Sequence, residues 1–440
     1  MKFLIDRNTK VGGILHKSNN TMKTLNFFSI LIFFLYSCGV ERENEEVIKQ
    51  INDMGVVIAT PYIWKTSLHE KEPTSNSRIK HPIVYNDNIL VPTTNGENNR
   101  SISLMSSKDG KILWNWNNLF GEGSGYVDIA FHYQYKNLLT YQRGSRSYCI
   151  NLDNGTSKWR NIRDRSFDVR INGFGQYYFT YAGTINSDGY EAGVAFKGDM
   201  QTGIISEYLM PNFTYEHPDW GRGITHIVQV PDRENLLLVN YGEMLPDWIN
   251  QTYFGLYDVD LQEWIWDKIL VSPPARETYA YYPPQILNNK IYAAVACAIV
   301  CHDLTSGKQL WKRNFTNDFM FSGFIIEDGR IIANNEDLFT VCLDPETGNE
   351  LWRVATAGTS GRMSYLNGVV YFVGGSVPRL FAIEASTGKI LWKIDAALLG
   401  EGYGADFRTN AVYVLPAKDG NPAKVIALSY LYAYCFEAER

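Results

Sequence analysis

The side chains of this chain that could do chemistry are few, and most stand in three aromatic, loop-like stretches. The first, Pro211-Asn-Phe-Thr-Tyr-Glu-His-Pro-Asp-Trp-Gly-Arg222, carries Tyr215, His217, Asp219, Trp220 and Arg222. The second, Tyr241-Gly-Glu-Met-Leu-Pro-Asp-Trp-Ile-Asn-Gln-Thr-Tyr253, carries Trp248. The third, Pro273-Pro-Ala-Arg-Glu-Thr-Tyr-Ala-Tyr-Tyr282, carries Arg276, Tyr279 and Tyr282. Trp, Tyr and Arg dominate interface hot spots, and flat Trp and Tyr rings also suit sugar rings. These residues read as a candidate binding face, with self-packed long loops as the plain structural alternative.

Catalytic and metal signals are weaker. Cys297, Cys301 and His302 have ligand chemistry, but no second ligand pair stands at metal-site spacing, so no metal is expected. Asp258 and Asp260 read as turn residues rather than as a pair of glycosidase acids. The chain has no G-x-S-x-G, H-E-x-x-H, P-loop or Rossmann signature. The net charge of −6 lacks the basic footprint of a nucleic-acid partner.

Near the N-terminus, Leu25–Leu35 is an apolar run preceded by Lys23, the size of a signal-peptide core and too short to span a bilayer as a helix. It ends Leu35-Tyr-Ser-Cys38, which resembles the lipobox of bacterial lipoprotein precursors, with Tyr36 where a small residue is usual. The resemblance implies cleavage before Cys38, lipidation of its thiol and a membrane anchor of several acyl chains. Residues 1–37 are then the signal peptide (Met22 is an alternative start) and 38–55 an acidic tether. The protein is expected in the cell envelope, at the outer membrane. The acidic run after Cys38 also resembles a surface-export signal of some Gram-negative lineages, so either leaflet face stays open.

The elements that must position the aromatic stretches are announced by a recurring phrase. It reads DGKILW at Asp109–Trp114, NGTSKW at Asn154–Trp159, SGKQLW at Ser306–Trp311, TGNELW at Thr347–Trp352 and TGKILW at Thr387–Trp392. The Gly of each copy (Gly110, Gly155, Gly307, Gly348, Gly388) stands four residues before its Trp (Trp114, Trp159, Trp311, Trp352, Trp392). Two worn copies keep Asp199 with Gly203, and Asp258 with Trp266; Glu207 and Gln262 fill their other slots. The Trp slots fall at 114, 159, 207, 266, 311, 352 and 392. Their spacing is close to the roughly 40–45 residues of a four-stranded propeller blade. Runs such as Lys290-Ile-Tyr-Ala-Ala-Val and Val369-Val-Tyr-Phe-Val, bounded by Asn-Asn and Asn-Gly, read as hairpin strands. Each phrase is therefore the turn and last strand of one blade, and its Asp, Gly and Trp are fold determinants, not catalytic residues.

Phe381-Ala-Ile-Glu-Ala-Ser-Thr-Gly-Lys-Ile-Leu-Trp392 and Val341-Cys-Leu-Asp-Pro-Glu-Thr-Gly-Asn-Glu-Leu-Trp352 resemble the pyrroloquinoline-quinone-type β-propeller repeat. That family includes quinoprotein dehydrogenases and the propeller lipoprotein of the outer-membrane barrel-assembly machinery. The resemblance implies an all-β fold: an eight-bladed propeller of four-stranded antiparallel blades over residues 56–440. Asn410-Ala-Val-Tyr-Val-Leu and Ala423-Lys-Val-Ile-Ala-Leu-Ser would belong to an eighth blade. The segment around Trp64 is expected to complete it, although the tail Tyr430–Phe436 could serve instead.

The quinoprotein branch implies two adjacent cysteines at the cofactor, and this chain has no Cys-Cys pair. No cofactor is expected, and a quinone-dependent dehydrogenase is the least favoured reading. Cys149, Cys301 and Cys342 stand six residues before their repeat Gly, a slot filled by Ala382 in another copy, so they read as buried packing residues and not as a disulfide framework. The function expected is a non-catalytic, lipid-anchored scaffold that docks another envelope protein, with a glycan- or ligand-binding surface lipoprotein as the alternative.

Overall fold

The computed structural model describes residues 62–439, apart from 70–77, 80, 96–98, 118–126, 130, 144–145, 163–171, 183–184, 187–188, 191–193, 210–221, 246–248, 276–281, 296, 316–320, 336, 359–361, 376–377 and 400–405. The chain divides into two units, Met1–Gln50 and Ile51–Arg440, and the described residues all belong to the second. Residues 1–55, expected to be a signal peptide, Cys38 and a tether, lie outside the described residues.

Those residues form eight four-stranded antiparallel sheets, the blades, together with two short two-stranded pairings. The innermost strands, in blade order, are Val84–Tyr85, His132–Tyr135, Asn172–Phe174, Arg222–Val230, Gln285–Leu287, Phe321–Glu327, Ser364–Leu366 and Phe407–Leu415. No described helix is long and apolar enough to cross a membrane. In the eighth blade the order is Phe407–Leu415, Lys424–Ser429, Tyr432–Glu437 and then Trp64–Ser67. The N-terminal strand pairs antiparallel with the C-terminal one, Trp64 opposite Cys435 and Ser67 opposite Tyr432. The ring is thus closed from the N-terminus, and the tail supplies the third strand.

Each repeated phrase turns as its residue types require. Asp344 Oδ1 accepts the Glu346 and Thr347 amides at 2.9 and 2.8 Å, and Gly348 donates its amide to the Asp344 carbonyl at 2.8 Å. Asp258 likewise accepts the Asp260 and Leu261 amides, so that carboxylate pair is turn chemistry. The turn presents its Gly to the preceding blade. The Trp352 indole N–H donates to the Ala385 carbonyl at 3.0 Å, and its ring would lie 2.6 Å from a Cβ placed on Gly388. Gly388 also has φ +74°, where a side chain is strained.

The same contact recurs around the ring. Trp114 donates to Leu152, Trp159 to Met200, Trp266 to Leu304 and Trp311 to Pro345, at 2.9–3.1 Å. Trp64 donates to the Ser107 carbonyl, so the closing strand carries the eighth blade's Trp. Every acceptor stands three residues before the glycine on which that indole lies: Gly155, Gly203, Gly307, Gly348 and Gly110.

Two junctions differ. Trp392 packs in a core cluster with Ala438, and the Glu439 amide caps the Tyr371 hydroxyl at 2.9 Å. Between blades three and four, Glu207 and Gln262 replace the Trp and Gly together. Phe179, Tyr208, Tyr241 and Trp264 fill that wedge instead. The core is therefore a set of clusters, each joining neighbouring blades, rather than one central nucleus.

Trp352→Ala should lower unfolding free energy by about 3–5 kcal/mol in urea titrations, and Gly388→Ala by about 1–3 kcal/mol. The double variant should cost at least about 1 kcal/mol less than the two single costs together, because the methyl then meets no indole. Strict additivity would contradict the contact.

Candidate functional site

A blade turns at one end between its first and second strands and between its third and fourth. At the other end lie the middle turn and the link to the next blade. The described strand ends that flank all three aromatic stretches lie at that second end, the upper face. The flanking strand ends Leu209, Arg222, Leu245, Ile249 and Ala275 lie there together on blades three and four. Tyr215, His217, Asp219, Trp220, Trp248, Arg276 and Tyr279 lie outside the described residues. Of the candidate face, the structure describes Arg222, which opens the inner strand of blade four, and Tyr282, which leads into that of blade five.

Blade four is built unlike its neighbours. Its second strand, Arg233–Leu245, has 13 residues and its outer strand, Glu263–Ala275, also has 13. The second strand of blade five, Lys290–Val295, has 6. Both second strands begin directly after the lower turn, so the surplus falls at the upper end, about 20 Å of extra strand at 3.3 Å per residue. The Tyr241 and Tyr253 rings stack across this hairpin at 5.5 Å, and the Tyr241 hydroxyl donates to Asp267.

Tyr282 belongs to a second constellation, on the propeller axis. His81 and Tyr282 each precede a proline, Pro82 and Pro283, which holds them extended as they enter blades one and five. Blades one and five face each other in a ring of eight, yet the two rings lie 6.1 Å apart. His132, the first residue of blade two's inner strand, lies 6.3 Å from His81, and Phe131 lies 5.6 Å from it. Arg362, two residues before the inner strand of blade seven, stands over the Tyr282 ring at 5.7 Å. Parallel pairing of Arg78–Ile79 with Asp128–Ile129 ties the lead-ins of blades one and two and fixes the two histidines side by side. Side chains from four blades thus meet across the upper mouth of the channel.

Burial sets the charge states there. His132 is pushed down to about 3, first by burial and then by the positive charge of Arg362. Burial raises the Tyr282 hydroxyl and lowers the Arg362 guanidinium, the nearby Tyr282 opposing the latter. At neutral pH His132 is a neutral imidazole, with one donor and one acceptor nitrogen, beside the Tyr282 phenol and the Arg362 guanidinium.

The cysteines offer little chemistry. Cys149, Cys301, Cys342 and Cys435 are free and buried on separate strands; burial raises Cys149 and Cys342 to about 12 and Cys301 to about 11. Cys297 sits in the turn before the strand Ala298–Asp303 that carries Cys301, so the two do not share a strand face. His302 Nδ1 donates to the Gly307 carbonyl at 2.9 Å. Among the described residues, no three His, Cys, Asp or Glu side chains are grouped to hold a metal.

Residues 336–430 match the family model PQQ_2, described as outer membrane protein assembly factor BamB. The match spans blade seven and parts of blades six and eight. No curated protein matches the chain in sequence. Among solved structures, BamB from Moraxella catarrhalis is similar at 12% identity and TM-score 0.53, over 86% of this chain and 99% of that one. A quinohemoprotein alcohol dehydrogenase from Pseudomonas putida is similar at 12% identity and TM-score 0.58, over 86% and 76%. Saccharomyces cerevisiae Sqt1 is similar at 8% identity and TM-score 0.60, over 87% and 100%. At such identities the likeness is one of fold. This fold serves proteins named as an assembly factor and proteins named as dehydrogenases. The residues present here do not fit a tricyclic quinone at the channel mouth, because the His81 and Tyr282 rings meet across it and no adjacent cysteines exist to sit beside it.

His81, His132 and Arg362 carried no signal in the repeat phrase. They stand four or five residues before their blades' lower turns at Asn86, Lys136 and Asn367, so aligning the repeats on those turns would have exposed them.

Folding lowers the His132 pKa, so between about 6.5 and 3 the unfolded chain binds a proton that the folded chain excludes. Stability therefore falls as pH drops through that window. His132→Asn should reduce the slope of unfolding free energy against pH between 6 and 4 by up to about 1.4 kcal/mol per pH unit. Urea titrations across that range would measure it, and an unchanged slope would contradict the assigned protonation state.

Proposed function

We propose that this protein is a non-catalytic, lipid-anchored scaffold of the cell envelope that docks another envelope protein on its upper face, across blades three to five. The observation that carries this reading is the extended blade-four hairpin beside two aromatic links. Elsewhere the ring keeps its strands short, so the added chain marks one sector of one face. A site grafted on a regular fold sits where the regularity is broken. The Trp, Tyr and Arg content of Pro211–Arg222, Tyr241–Tyr253 and Pro273–Tyr282 is the chemistry of interface anchors. The family match over residues 336–430 and the BamB-like fold support envelope assembly as the setting.

Anchoring through Cys38 would hold the propeller at the outer membrane, with residues 38–55 as tether. The lack of an adjacent cysteine pair and the closed channel mouth weigh against quinone chemistry.

The lipidated protein, used as bait in solubilised envelope, should retain one stoichiometric partner. That partner should also bind as a purified protein. Trp220→Ala with Trp248→Ala should weaken binding at least about a hundredfold, as expected for two anchors of about 2 kcal/mol or more. No partner with either bait, or equal capture by both, would overturn the reading.

A further inference from the structure

Where the ring closes, at the lower end and away from the docking face, a buried cation has no counter-charge. We propose that the cleft between blades eight and one is a binding site for a small oxyanion, a carboxylate or a phosphate, held by Lys424 and Lys108. The cleft has a volume of about 170 Å³. It is lined by the lower turn of blade eight, residues 415–424, and by Asp87, Ser107 and Lys108 of blade one. Lys424 is only 7% exposed, and its ammonium donates to the Ser107 carbonyl at 3.0 Å. The Trp64 indole donates to the same oxygen at 3.1 Å, so both lone pairs of that carbonyl are taken. An ammonium has three donors, and no described carboxylate makes an ion pair with Lys424. Asp87 pairs with Lys418 instead, at 2.6 Å, and Glu437, opposite Lys424 in the strand register, does not line the cleft. Buried charges are normally paired, so this one marks a place where an anion fits.

The repeat itself shows what is missing. At the seam between blades five and six, Lys290 opens its blade's second strand and donates its ammonium to the Glu346 carboxylate. Glu346 stands two residues before Gly348 and next to Pro345, whose carbonyl accepts the Trp311 indole. Lys424 opens the second strand of blade eight in the same way. The residue two before Gly110, next to Ser107, is Lys108. The position that supplies the anion at one seam therefore supplies a second cation at the other, and a bound oxyanion completes the same bridge between blades. The lining holds three lysines against two aspartates, and Asp87 is already paired, so the cleft is cationic in a chain that carries −6. Carboxylate and phosphate oxygens accept charge-assisted hydrogen bonds from ammonium groups, and these gain strength where bulk water is partly excluded. The volume suits an anion of a few heavy atoms.

The proposal is tested by isothermal titration calorimetry of the full folded chain with inorganic phosphate and, separately, with acetate, at fixed ionic strength and with chloride as control. One saturable site for at least one of the two oxyanions is expected; phosphate alone would mean a phosphate site and acetate alone a carboxylate site. Lys424→Met, which keeps the buried stem and removes the charge, should weaken binding at least about tenfold, the worth of one charge-assisted hydrogen bond. Lys108→Glu gives this seam the carboxylate that Glu346 gives the other, and should weaken binding at least as much. Absence of saturable binding of either anion by the native chain would overturn the proposal. So would undiminished affinity in Lys108→Glu, an exposed turn position that decides the matter even if Lys424→Met fails to fold.

Discussion

An indole laid on the glycine of the next blade is the contact on which this molecule depends. A blade alone is a small twisted sheet with two apolar faces and two unpaired edges, and it cannot bury either face by itself. The Trp of its last strand reaches sideways, covers the neighbour's turn and donates one hydrogen bond to it, as Trp352 does over Gly388 toward Ala385. Only glycine leaves room for the ring, and only a left-handed residue makes the turn that offers the carbonyl. Complete burial of such a side chain is worth about 5 kcal/mol at about 25 cal/mol per Å² for roughly 200 Å², and the half-buried Trp352 gains part of that. Repeated around the ring, the contact makes eight marginal sheets one cooperative unit. Closure obeys the same rule: Trp64 comes from the far end of the chain, yet lies on Gly110 and donates to Ser107 as the other indoles do.

The consequence for function is a division of labour between the two faces. Indole, glycine and Asp turn all work at the outer hairpins of the lower end, and the links and middle turns of the upper end are free to vary. Blade four uses that freedom with its 13-residue strands. The blade that departs most above also departs most in its seam: its turn carries Gln262 for Gly, and blade three carries Glu207 for Trp. An aromatic cluster around Tyr208 and Trp264 holds that junction by bulk burial.

Much of the fold was legible because a propeller writes its packing into local sequence. Asp, Gly and Trp fall within nine residues of one another, so the phrase exposes the blade count, the strand order and even the displaced Trp64. The worn copies were legible for the same reason, since Asp199 and Asp258 keep the turn after the Trp or the Gly is lost. The site was legible only in part. Tyr282 stood out as one of several aromatics in a long link. His81, His132 and Arg362 did not, because their meeting is a product of ring closure: blades one, two, five and seven bring together residues up to 281 positions apart. Only alignment of the blades on their lower turns puts these residues at one level of the axis, and the repeat phrase by itself does not reach them.

The claim that the upper face does the work while the lower face holds the ring is tested most directly by site-specific photo-crosslinking in living cells. A photoreactive residue at Leu245, at the end of the blade-four strand, is compared with one at Asn367, in a lower turn of blade seven. A single adduct of defined mass from position 245, with none from 367, is the result this account predicts. Adducts from 367, or from neither position, would contradict it.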